Sequence, residues 1–198
     1  MRNNLSQMIS LSKIEEKLYR PADAYELSRV TRMEHVKTTI VETPQEGIKA
    51  VATRIAQLIN RREANGQKTV LSLASGRSMR DLFVELVRLH KEEGLSFKNV
   101  VVFGSYEFYP LSDTTSGSMA QIQSQLLEHV DILPENVHTF PGDLPKEDVF
   151  AFCEEYEKAI VEAGGIDVQV LGIGQCGNIA MNEPGTQPNS STRLVIMD

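Results

Sequence analysis

The chain has 198 residues, 41% of them hydrophobic and 24% charged, with a formal net charge of −7. That length suffices for one sizeable domain with a real core. The acidic balance argues against nucleic acid and anionic membrane as main partners, because both demand basic surface; a small anion held by a few local donors stays open. The two cysteines, Cys153 and Cys176, make no disulfide framework, so a reduced, cytoplasmic protein is the expectation. Residues 1–7 lack the apolar core of a signal peptide. No apolar run approaches the about 18 residues of a membrane span, and there is no internal repeat.

Residues 1–36 are polar with scattered apolar positions and read as an N-terminal arm or short helix. Residues 37–198 then alternate strand and helix signals and read as one α/β domain. Thr38 to Glu42 is predicted as a strand. Thr43, Pro44 and Glu46 predict a helix start with a capping box. Ile48, Val51, Ile55, Leu58 and Ile59 follow at helical spacing, and Asn65-Gly66 ends the helix. Thr69 to Leu73 is the next predicted strand, Ser75-Gly76-Arg77-Ser78 a turn, and Leu82, Phe83, Leu86, Val87 and Leu89 a helix face running to Gly94. A third strand covers Val100 to Phe103, followed by a polar loop from Gly104 to Gly117 and a helix with Met119, Ile122, Leu126, Leu127 and Val130. A short strand is expected over Asn136 to Phe140, and a helix from Pro145 to Ala163 with Val149, Phe152, Cys153, Tyr156 and Ile160 on one face. Val168 to Leu171 reads as a buried strand.

This alternation predicts an α/β, Rossmann-like three-layer sandwich: a mostly parallel sheet with helices on both faces. Loops 74–79, 104–117 and 172–186 should open on one sheet edge and share a ligand crevice there.

Each loop carries candidate residues. In Ser75-Gly76-Arg77-Ser78, free N–H groups at a helix start favour an anion, the glycine allows close approach, and Ser75, Ser78 and Arg77 add donors. The same residues also suit a plain capped turn, with Ser78 as N-cap and Asp81 three residues on. The turn has neither a Walker lysine nor a dinucleotide glycine pattern. Glu107, in Tyr106-Glu107-Phe108-Tyr109, is placed either as a base or within an aromatic loop packing over the sheet edge. Glu183 lies between Asn182 and Pro184, as a proton-relay group or a solvated loop residue. Arg193 is a candidate for a forked phosphate contact or a surface charge. The four histidines show no paired ligand spacing, so no metal is expected.

Three segments, E-E-G-L-S-F-K-N-V-V-V-F (Glu92 to Phe103), H-V-D-I-L-P-E-N-V-H (His129 to His138) and G-I-G-Q-C-G-N-I-A-M-N-E-P (Gly172 to Pro184), stand in an order that resembles the glucosamine-6-phosphate deaminase (isomerase) family. The similarity runs from about residue 38 to residue 198, and the leading arm resembles the form of that family with an additional N-terminal stretch. The resemblance implies conversion of glucosamine 6-phosphate and water to fructose 6-phosphate and ammonia. A carboxylate base moves a proton between C1 and C2, a histidine assists ring opening, and no metal or organic cofactor takes part. Ser75, Gly76 and Ser78 fit the family's phosphate turn, whereas Arg77 stands where a small residue is usual. The family's base aspartate is replaced by Tyr106, with Glu107 retained beside it. The ring-opening histidine is replaced by Asn178, with Glu183 retained as the carboxylate that supports it, and Cys176 stands at a usually acidic or threonine position.

A phenol does not replace a carboxylate base and an amide does not titrate usefully. Each lost acid or base costs about 10² to 10⁴ in rate. The family fold also continues beyond the point where this chain stops, so an incomplete C-terminal part is expected. Two functions follow: a deaminase-like protein acting weakly on a hexosamine phosphate, or a catalytically inactive sugar-phosphate-binding or assembly protein. Homo-oligomerisation is left open.

Overall fold

The structure is a computed structural model that describes residues 38–174, 177–183, 185–187 and 189–196. The expected N-terminal arm and Cys176 lie outside the described residues. Two compact units are distinguished, Met1–Gly47 and Ile48–Asp198.

Among the described residues of the first unit, 38–43 form no strand. The β-branched run there predicted one, but such residues favour strands only on a half-buried pleated surface. Ile40 is 57% exposed. Helix α1 (Pro44–Ala64) begins next. Thr43 Oγ1 accepts the Glu46 N–H at 3.2 Å, and Glu46 Oε2 accepts the Glu42 N–H at 3.2 Å. The expected capping box is therefore present, with its return bond displaced by one residue.

In the second unit, β1 (Thr69–Leu73), β2 (Val100–Gly104), β3 (Val137–His138) and β4 (Val168–Val170) form a parallel sheet in the order β3-β2-β1-β4. Every residue of β1 and β2 is buried, Thr69 and Ser72 of β1 included, as strands covered on both faces require. Strand period places Leu71, Leu73, Val100 and Val102 on one face, packed with Ala52, Ile55 and Ile59 of α1, with Phe83 and Leu86 of α2 (Arg77–Glu93), and with Ile122 of α3 (Ser118–Gln125). Val70, Val101 and Phe103 face the other way, against Tyr156, Phe152 and Ile160 of α4 (Val149–Glu162). Two helical layers on one sheet make the expected three-layer sandwich. Each fully buried Phe or Leu contributes about 1.5–3 kcal/mol.

One strand differs from expectation. β4 is not buried: Gln169 is exposed and its neighbours are half-buried. It pairs only with β1 among the described strands and lies at the sheet edge. Its apolar run resembles a central strand because one flank is covered and the next residues, Leu171 and Ile173, stay apolar though exposed.

The chain builds outward through β1, β2 and β3, then returns to place β4 on the opposite side of β1. This reversal creates a topological switch point between β1 and β4, whose carboxyl ends are the standard ligand position in open α/β sheets.

Candidate functional site

Two loops leave the switch point, 74–76 after β1 and 171–187 after β4. The first turns at Gly76, whose φ of 124° suits glycine alone, and Gly76 is the N-cap of α2. The Met79 and Arg80 N–H groups donate to the Gly76 carbonyl at 3.1 and 3.3 Å. Among the described residues no side chain caps this helix, and its first turn holds no acidic residue. Ser78 is thus not the N-cap that the plain-turn reading required: the left-handed Gly76 starts the helix two residues earlier. Arg77 and Ser78 are exposed within the first turn. A Cβ added at Gly172, in the second loop, would stand 3.4 Å from Ser78 Oγ, so the two loops meet here.

Tyr106 reaches the same turn from β2. Its hydroxyl lies 3.0 Å from Ser75 Oγ and 3.1 Å from the Ser75 carbonyl oxygen. Just behind it, Ser72 Oγ and Ser105 Oγ are 2.9 Å apart and the Ser105 N–H donates to the Leu73 carbonyl at 2.9 Å. Local sequence does not announce the Ser72–Ser105 pair. Its one signal is a serine inside an otherwise apolar strand.

Glu107 points elsewhere. Its carboxylate accepts the N–H groups of Ser118 at 2.7 Å, Met119 at 2.9 Å and Phe108 at 2.8 Å. It therefore fills the N-terminal anion position of α3, a position that attracts a carboxylate by its unpaired donors and dipole. Beyond it opens a pocket of about 310 Å³ lined by Glu107, Leu111, Met119, Gln123, Thr139 and Phe140 among others.

The loop after β4 folds back on itself. The Gly174 N–H donates to the Asn178 carbonyl at 2.8 Å, and residues 173, 179 and 182 make isolated antiparallel bridges. Ala180 and Met181 have φ of 50° and 60°, and the Asn182 N–H closes the turn on the Ile179 carbonyl at 2.9 Å. Two successive left-handed residues make a primed turn. For Ala and Met this conformation is strained, a feature concentrated at functional sites. The Asn178 amide lies against Gly174, leaving no room there for a Cβ. Glu183 follows, half-buried. The Arg193 guanidinium is exposed and donates to Asn182 Oδ1 at 3.3 Å and to the Ser191 carbonyl at 3.2 Å. The Thr192 N–H and hydroxyl both donate to Glu157 Oε1 at 2.7 Å, mooring this segment to α4. No local sequence signal marks Glu157 for that part.

The fold thus joins Ser75 to Tyr106, Ser78 to the loop after β4, and Arg193 to Asn182, while Glu107 is bound into a helix start. Among the described residues, no group of three or more His, Cys, Asp or Glu side chains is arranged to hold a metal. No described helix is long and apolar enough to cross a membrane.

Residues 42–197 match the family of glucosamine-6-phosphate isomerases/6-phosphogluconolactonase. The chain belongs to this family. It is 45% identical, over its whole length, to a putative glucosamine-6-phosphate deaminase-like protein of Bacteroides thetaiotaomicron, of which it spans 30%. It is 41% identical over 63% of its length to a glucosamine-6-phosphate deaminase of Porphyromonas gingivalis, spanning 47% of that protein. Among solved structures, a monomeric glucosamine-6-phosphate deaminase of the NagB superfamily superposes with a TM-score of 0.76 at 30% identity, over 82% of this chain and 66% of that one. The 6-phosphogluconolactonase of Thermotoga maritima shares the fold, with a TM-score of 0.59 at 24% identity over 72% of this chain and 62% of that one. The chain therefore spans less than half the length of these two curated relatives.

Proposed function

We propose that this chain binds a hexosamine phosphate at the switch point between β1 and β4, and that its turnover as a deaminase is weak or lost. The observation that carries this reading is the α2 start at Gly76, a helix N-terminus that no side chain caps among the described residues, set against the loop after β4. Unpaired N–H groups and the helix dipole favour a phosphate there. Ser75 and Gly76 lead into α2, Arg77 and Ser78 open its first turn, and Arg193 is the further candidate phosphate contact. The relatives named as glucosamine-6-phosphate deaminases support the substrate class.

Tyr106, at the base position, gives its hydroxyl to Ser75. Glu107, the neighbouring carboxylate, accepts three N–H bonds around the start of α3. Asn178 offers an amide where ring opening needs a titrating group. Glu183 is left as the one carboxylate in the loop after β4. No efficient proton relay between C1 and C2 follows from this set, so binding without rapid turnover is the function the geometry favours.

The test pairs two measurements on the purified chain. Millimolar glucosamine 6-phosphate should raise the melting temperature, since a ligand far above its Kd stabilises the fold. Ammonia release should fall at least about 10²-fold below that of a deaminase carrying both acid–base groups. An unmoved melting temperature would sink the binding reading. Rapid ammonia release that Glu183→Gln abolishes would replace it with an active enzyme.

A further inference from the structure

Tyr106 does more than stand where a base is absent. Its hydroxyl donates to the Ser75 carbonyl oxygen at 3.1 Å and also lies 3.0 Å from Ser75 Oγ. A phenol has one proton. With that proton on the carbonyl, the Ser75 hydroxyl is the donor in the second contact. Its single O–H points at Tyr106 and is not offered to an anion at the same time. The geometry is held from behind. Ser105 is fixed to Leu73 and Ser72, and the Tyr106 ring packs against the core and sits edge-on to Phe108, with centroids 5.9 Å apart at 77°. A buried strand end thus delivers the phenol to the turn.

We infer that Tyr106 is an affinity-determining latch on turn 75–78. It withholds the Ser75 hydroxyl and leaves a bound phosphate ester to the α2 N–H groups, Ser78 and the candidate contact Arg193. This inference rests on the reading of that turn as the phosphate site. Removing the phenolic hydroxyl frees one O–H donor, and a hydrogen bond to a charged acceptor is among the stronger ones.

Isothermal titration of the wild-type chain, Tyr106→Phe and the double variant Tyr106→Phe/Ser75→Ala tests it, with glucosamine 6-phosphate and inorganic phosphate as probes. Tyr106→Phe should bind both about tenfold tighter, and adding Ser75→Ala should return the affinity to the wild-type level. Thermal melts establish that each variant folds. Tyr106→Leu is a second probe without a ring hydroxyl and should show the same gain. If the wild-type chain binds but neither folded single variant binds tighter, the latch is overturned and the site stands. If no form binds either probe, the site reading falls and the latch with it.

Discussion

Glu107 illustrates how a charged side chain beside a candidate site can serve the scaffold. Its two oxygens accept three backbone N–H groups at 2.7–2.9 Å, two of them at the start of α3. The Ser118 and Met119 N–H groups open α3, have no intrahelical partner and are partly buried, so losing the carboxylate leaves them unpaired. Glu107→Ala should destabilise the fold by about 2 kcal/mol, measured by urea unfolding. Glu107→Gln should cost less, since one amide oxygen still accepts. Equal stability of the alanine variant and the wild type would show that α3 does not depend on this cap. Adjacent Tyr106 reaches Ser75 instead, so two neighbouring residues serve two different elements.

At the scale of elements, the loop between β2 and α3 is held by the fit of one leucine between two glycines. A Cβ at Gly142 would stand 2.5 Å from Leu111 Cδ1 and 3.0 Å from Leu111 Cβ, and one at Gly117 would stand 2.7 Å from Leu111 Cδ1. The Leu111 N–H donates to the Gly142 carbonyl at 2.7 Å, so the leucine cannot simply move away. Gly142→Ala should therefore cost about 1–3 kcal/mol by overpacking. Combined with Leu111→Ala it should cost less than the sum of the two single changes, because the contacts at 2.5 and 2.7 Å with Leu111 Cδ1 and Cγ are gone and only that with Cβ remains. Strictly additive unfolding energies would refute this account of the loop.

Across the whole molecule, pH acts through the layer on the α4 side of the sheet. His138 of β3 stacks on Phe103 of β2, with centroids 4.3 Å apart and planes within 5°. Burial first, and then the charge of Lys68, push its pKa below the ordinary 6.5. The folded state therefore keeps the ring neutral while the unfolded chain takes up a proton below pH 6.5. The contribution is fully present above that value and is lost as the pH falls toward the folded pKa. Melting temperature should drop between about pH 7 and pH 5, and His138→Phe should flatten this part of the profile. A variant whose profile falls as steeply as the wild type would assign the acid sensitivity to other groups.

Much of the fold was legible because its cause is local. Leu82, Phe83, Leu86 and Leu89 recur at helical spacing and are the buried face of α2, and the apolar run Val100 to Phe103 is the buried centre of β2. Thr38 to Glu42 misled, since β-branched residues signal a strand without supplying the surface it pairs on. The Ser75–Tyr106 bond joins residues 31 apart, and Glu107 reaches α3 from 11 and 12 residues away. No local period encodes either contact.

Periodicity, capping and turn chemistry act within a few residues, so the sequence alone determined the alternating elements, the parallel sheet and a glycine turn ahead of α2, though not that Arg77 and Ser78 belong to the helix. Its ordered motifs also placed the chain in its family. Tertiary structure decided that β4 returns beside β1 as an edge strand, which creates the switch point. It decided too which hydroxyl Tyr106 binds and which helix Glu107 caps. Such choices depend on the long-range pairing of donors and acceptors, and only the folded arrangement brings them within hydrogen-bond reach.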